Sequence, residues 1–197
     1  MMKKRYYAMF AGIIAIGITL GILYIEVWRD AGVQLPKDVL LETASAESYD
    51  FENMEPKVRL IEFYYTQCPD VCPLTTQRMM HLREMLKQEG VYGDEMEFIS
   101  ISIDPEKDTP ERIQKYMDTY AISPDENGWT FLRGSLEDTK AFAEPFRFRF
   151  EDRGTDYIVH DSFTYLIDQD NYLIEKFSMG EGFDKEKVFK RIMRTVD

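Results

Sequence analysis

The chain has 197 residues, 44% of them hydrophobic, with a formal net charge of −12. That length suits one domain with a sizeable core, and the acidic balance argues against nucleic acid or anionic lipid as partners. Its only two cysteines, Cys68 and Cys72, are too few for a closed four-cysteine zinc site or an iron–sulfur cluster.

Lys3, Lys4 and Arg5 precede a charge-free apolar stretch, residues 8–25. Its eighteen positions would span about 27 Å as a helix, close to a bilayer core of roughly 30 Å. Tyr6, Tyr7, Tyr24 and Trp28 flank it as interfacial aromatics. The basic N-terminal flank predicts one transmembrane helix, residues 1–29 acting as anchor. The rest would then lie on the extracytoplasmic side of the cell membrane. A cleaved signal peptide is the rival reading, but the run is long for one, and Ala44-Ser45-Ala46 comes too late for a cleavage site. No cysteine near the segment's end supports an N-terminal lipoprotein. Residues 1–29 hold Lys3, Lys4, Arg5 and Arg29 against Glu26, a net +3, which leaves −15 for residues 30–197.

Residues 30–57 read as a tether and lead-in of mixed composition, with Pro36, Pro56 and a small-polar run at 43–48. Residues 58–65 form a strand candidate, apolar on both parities and so buried on both faces. Cys68 to Pro73 is the turn and helix entry. The helix itself runs through Leu74, Met79, Leu82, Met85 and Leu86 to Gly90. Residues 96–103 are a second strand. Thr109 and Pro110 open the next helix as N-cap and first helical residue, with Ile113, Tyr116, Met117 and Tyr120 as its buried stripe. Residues 129–132 are a short strand, and Ser135 starts a helix ending near Pro145. Residues 162–167 and 172–177 form a hairpin about the turn 168–171, and Asp184 caps a last helix. The order β-α-β-α-β-α-β-β-α predicts an α/β fold over residues 58–197, a mixed sheet with helices on both faces.

The chemistry gathers where the first strand ends. Cys68 and Cys72 stand three residues apart, each followed by a proline. If the chain is helical from Cys68, both lie on one face, able to hold one metal or to form a disulfide. A helix N-terminus stabilises a thiolate, and thiolates are soft ligands suited to Cu(I) or zinc. With one imidazole they make a three-donor site suited to copper. A purely structural disulfide is the plain alternative. His160 precedes the hairpin strand in a loop that can return to the first strand's end, though spacing alone equally allows a surface histidine. His81 reads as a solvated helix residue. Asp70 and Asp161 could orient a ligand from behind, or could simply be a helix-end charge and a turn residue. The eleven methionines fall at helix-core spacing and read as packing.

Three stretches carry a resemblance: FYYTQCPDVCP at 63–73, ISIDPEKDTP at 101–110 and HDSFTYLID at 160–168. In this order they closely resemble the SCO/SenC family of membrane-anchored, thioredoxin-like copper proteins that assemble cytochrome c oxidase. The resemblance implies a thioredoxin-like fold and copper ligands at Cys68, Cys72 and His160. It also implies a role for Asp104 and Asp108, which by themselves look like turn and cap. The implied partners are the CuA-bearing subunit II of the oxidase and a thiol reductant, and the implied role is metallochaperone rather than enzyme. Gln67 stands where the family often has histidine, and residues 42–57 lack the usual Asp-x-x-Gly hairpin. A membrane-anchored thiol–disulfide oxidoreductase is the second reading. Three residues between the cysteines, and no proline at 160–161, argue against a standard redox thioredoxin. The acidic charge predicts a partner with a basic or neutral contact face.

Overall fold

The computed structural model describes residues 12, 14–21, 24, 32–123, 128–154 and 157–196. The chain divides into two compact units, Met1–Gly32 and Val33–Asp197. In the first, the described residues between 12 and 24 are helical, and the rest of the stretch 8–25, with its flanks, lies outside the described residues. Among the described residues no helix is long and apolar enough to cross a membrane.

The second unit is built on a six-stranded sheet. Its strands are β1 (Leu41–Thr43), β2 (Val58–Tyr64), β3 (Met96–Ser102), β4 (Trp129–Gly134), β7 (Phe163–Ile167) and β8 (Leu173–Ser178), in the order β1-β4-β3-β2-β7-β8. Strands β2, β3 and β4 are parallel, and β1, β7 and β8 join antiparallel. β5 (Phe150–Asp152) and β6 (Ile158–His160) form a separate two-stranded ribbon. Helices α1 (Val71–Gln88), α2 (Pro110–Thr119), α3 (Leu136–Ala143) and α4 (Lys185–Val196) complete the unit.

Every residue of β2 is buried, as its two-parity apolar pattern requires of a central strand. Its neighbours Phe63 and Tyr64 point to opposite faces of the sheet. Phe63 meets Phe142 of α3, while Tyr64 meets Tyr116 of α2, so helices cover both faces. Thr76 of α1 shares a 2.7 Å hydrogen bond with the Tyr116 hydroxyl, which sets α1 beside α2. Thr109 caps α2 through the Arg112 N–H, and Ser135 caps α3 through the Asp138 N–H.

Two parts of the chain differ from the sequence expectation. The lead-in is packed onto the domain: β1 pairs with β4 at the sheet edge, and Leu35, Val39, Leu41 and Phe51 are buried. Residues 33–35 strap along the turn between β7 and β8. Leu35 donates to the Asn171 carbonyl at 3.0 Å, and Leu173 donates to the Val33 carbonyl at 2.8 Å. His160, expected in a loop, is instead the last residue of β6, opposite Phe150. Neither difference shows in local periodicity, because three-residue strands depend on the distant segment they pair with.

Candidate metal centre

β2 ends at Tyr64, and the chain turns there before α1 begins. The Cys68 N–H closes the turn on the Tyr65 carbonyl at 3.1 Å. Helix α1 starts at Val71, later than a helix beginning at Cys68, so only Cys72 is helical. The sulfurs still face one another: the Cys72 N–H points at Cys68 Sγ across 3.3 Å. That N–H belongs to the first turn of α1 and has no carbonyl partner within the helix.

Asp108 braces this turn from β3's exit. Its carboxylate accepts from the Thr66 N–H at 3.2 Å, the Thr66 hydroxyl at 2.5 Å and the Ser102 hydroxyl at 2.6 Å. It is fully buried, and burial raises its pKa although those three hydrogen bonds oppose the shift. By its position before the Thr109 cap it looked like part of the cap; in the structure it holds the cysteine turn. The sequence signal was an acid more than the cap needs. Asp104 is also buried, with Lys107 at 3.4 Å from its carboxylate.

His160 arrives from the ribbon. Phe150 lies opposite it in register, and Asp161 is bound to Arg149 on both sides: Asp161 N–H to Arg149 carbonyl at 2.9 Å, and Arg149 N–H to the Asp161 carboxylate at 2.9 Å. The imidazole Nδ1 stands 2.7 Å from the Asp161 carbonyl. A carbonyl can only accept, so Nδ1 carries a proton, and in the neutral ring it is Nε2 that holds the lone pair. The rings of Tyr65 and Phe148 lie 5.9 and 6.1 Å from the imidazole.

The donor atoms of Cys68, Cys72 and His160 all lie within 4.8 Å of one another. Donors about 2.0–2.3 Å from a shared ion would sit roughly 3.5–4 Å apart, so a contraction of about 1 Å closes the site. Cys72 is fully buried, while Cys68 and His160 are half-buried, leaving one side open to solvent. The thiols are unequal. The Cys72 S–H donates to Cys68, and His160 with the Asp70 and Cys72 N–H groups adds to it, so the Cys68 pKa falls well below that of a free thiol despite burial. The same bond, with burial and the charge on Cys68, pushes Cys72 up. For His160, burial opposes the charged form, but the Cys68 and Asp161 hydrogen bonds and nearby negative charge outweigh it, and its pKa is raised. Burial likewise pushes Tyr65 up to about 12.

The two aspartates considered as orienting groups act through their backbones. Asp70 is exposed at the entry to α1, where its side chain makes no capping hydrogen bond and its N–H supports Cys68. Asp161 holds the imidazole by its carbonyl, its carboxylate being engaged by Arg149. His81 is exposed on α1.

A family model, SCO1/SenC, matches residues 39–197. The chain belongs to the SCO1/SenC family. Among SCO relatives, the SCO1 protein homolog of Bacillus subtilis (strain 168) is 28% identical over 173 residues, covering 82% of this chain and 86% of the relative. The solved structure of BsSco, described with a disulfide switch and as a member of the Sco family of cytochrome c oxidase assembly proteins, superposes with a TM-score of 0.70. It is 25% identical and covers 83% of this chain and 94% of its own. Arabidopsis thaliana ScoI, solved with copper bound, gives a TM-score of 0.67 at 21% identity, covering 80% of this chain and 95% of its own, which shows the shared fold. The SCO-type sheet therefore places a Cys-Cys-His group at the end of its central strand β2.

Proposed function

We propose that this protein binds one copper ion through Cys68, Cys72 and His160 and handles it for assembly of the CuA centre on subunit II of cytochrome c oxidase. The observation that carries the reading is the convergence of two sulfurs and one imidazole within 4.8 Å. Two soft thiolates favour Cu(I), and an imidazole with a free Nε2 extends the range to Cu(II). The Asp161 carbonyl fixes the tautomer that a metal needs. A half-exposed Cys68 and His160 suit a site that must also release its cargo, unlike a closed structural site. Family membership and the copper-bound relative support the same reading.

The protein works on the extracytoplasmic face of the cell membrane, held there by residues 8–25. The support is the charge-free stretch with its basic flank and aromatic borders. Protease added to protoplasts should degrade the sheet domain; its protection would count against this placement.

The decisive experiment titrates the reduced full-length protein in detergent with Cu(I) and Cu(II), then adds the copper-free CuA domain. Stoichiometric binding and transfer are expected; binding without transfer would sink the assembly role. The unequal thiols favour one second reading, reduction of the partner's cysteines by the Cys68–Cys72 pair. In a deletion strain, rescue of CuA oxidase activity by copper points to supply, and rescue by a thiol reductant points to reduction.

A further inference from the structure

His160 and Asp161 form one end of a groove of about 1280 Å³ that runs between the β5–β6 ribbon and α3. That volume exceeds what a small ligand needs and suits side chains of another protein. Phe148 and Phe150 form its floor, and exposed Val159 forms part of its wall. Tyr157, Val159 and Phe163, each within three residues of His160, are 56%, 51% and 41% exposed. Large apolar side chains left in water around a site are the mark of an interaction surface.

The charge of the groove departs from that of the chain. Lys140, Arg147 and Arg149 line it, are exposed, and make no ion pair among the described residues. Of its carboxylates, Glu151 is paired with Arg153, and Asp161 is held by the Arg149 N–H. Glu137 on α3, Glu144 at its C-terminal cap and Asp161, which is held only by a backbone N–H, remain, so the groove is charge-balanced where the rest of the domain is acidic. Arg149 sits beside the donor, since its carbonyl and N–H bind Asp161. Residues 30–197, net −15, thus turn unpaired arginines toward the edge where the cargo is exposed.

Resting on the oxidase reading above, we propose that this groove is the docking surface for the copper-receiving protein, whose contact face carries carboxylates around an apolar centre. This reverses the expectation from overall charge: the partner meets Arg147 and Arg149, not the average surface. Arginine and exposed aromatics are the residues that carry binding energy in such faces, and charge complementarity sets the encounter rate.

The test compares two full-length variants of equal charge change. Lys140→Glu with Arg147→Glu reverses the groove; Lys115→Glu with Lys190→Glu reverses exposed lysines on α2 and α4. Both should keep wild-type circular dichroism and copper stoichiometry. The probe is the reduced, copper-free CuA domain of the same organism's oxidase. The groove variant should bind it at least tenfold more weakly at low salt, with the difference shrinking as salt rises, and the control should match wild type. Equal loss in both variants, or in neither, overturns the docking surface while leaving the oxidase role standing. Failure of the wild-type protein to bind the CuA domain would remove that role, and this inference with it.

Discussion

Cys72 gives its backbone N–H to the sulfur of Cys68 across 3.3 Å, although only Cys72 belongs to the helix. Helix start and sulfur are thereby joined, and negative charge settles on the more exposed of the two cysteines. In the proposed site Cys68, the more exposed cysteine with the lowered pKa, would meet an incoming metal or disulfide first, with Cys72, whose pKa is raised, behind it.

Replacing His160 with alanine should weaken Cu(II) binding by at least tenfold and perturb Cu(I) binding much less, because two thiolates already satisfy the softer ion. Competition titrations and the Cu(II)–thiolate absorption would report this. An unchanged Cu(II) affinity and spectrum would remove His160 from the ligand set.

Oxidising the pair should abolish tight copper binding. Forming a Cys68–Cys72 disulfide passes two electrons from the pair to the added oxidant, releases the Cys72 proton and leaves one imidazole as donor. Copper should be released on oxidation and rebound after reduction, followed by metal analysis of the desalted protein. Tight binding by a verified disulfide form would contradict the site.

Asp108→Ala should cost about 2–3 kcal/mol of stability. It orphans the Thr66 N–H as well as the hydroxyls of Thr66 and Ser102. Copper affinity should also fall, since the turn presenting Cys68 loses its brace. Urea unfolding of the reduced protein measures the first effect; a loss under about 0.5 kcal/mol, the range of an ordinary surface change, would argue against the brace.

Glu62 should make stability depend on pH. It is fully buried in β2, where its carboxylate accepts from Ser100 at 2.6 Å while Oε2 has no partner. Burial, opposed by the Ser100 bond and aided by charge on Cys68, raises its pKa from 4.5 to about 7. The folded state therefore holds a proton that the unfolded chain has already lost above pH 4.5. The contribution is complete below pH 4.5, declines through the window to 7 and is gone above it. At about 1.4 kcal/mol per unit, the loss is on the order of 3 kcal/mol. Glu62→Gln should remove that slope, gaining on wild type as pH rises from 5 to 8. A wild-type-minus-variant difference that stays flat with pH would show that Glu62 does not titrate in this window.

Where local pattern and tertiary role coincide, the sequence was a sufficient guide. The two-parity apolar run of β2, the Thr109-Pro110 start of α2 and the turn at Asp168, whose carboxylate accepts from the Tyr172 N–H at 2.8 Å, all follow from neighbouring residues. β1, β5 and β6 were not visible, because three residues carry no period and their partners lie far along the chain. The cysteines announced themselves by spacing. His160 did so only in part: its place depends on a ribbon with Phe150, so the residues alone left it even with a surface histidine and the family resemblance decided between them. Glu62 was hidden, and Asp108 read as a cap apart from the role the resemblance implied, since an acid inside a strand or beside a cap gives no sign of what buries it.

The strap of residues 33–35 lies on the β7–β8 turn, and Ile167 at that turn is in register with Arg59 at the start of β2. The cysteines follow the other end of the same strand. The chain thus enters the domain at one pole and presents its sulfurs at the opposite pole, separated by the seven residues of β2, about 23 Å. On the anchor and copper readings proposed above, lengthening or shortening the segment before residue 33 would change how far the cargo is carried without touching how it is held, so reach and affinity could be varied independently.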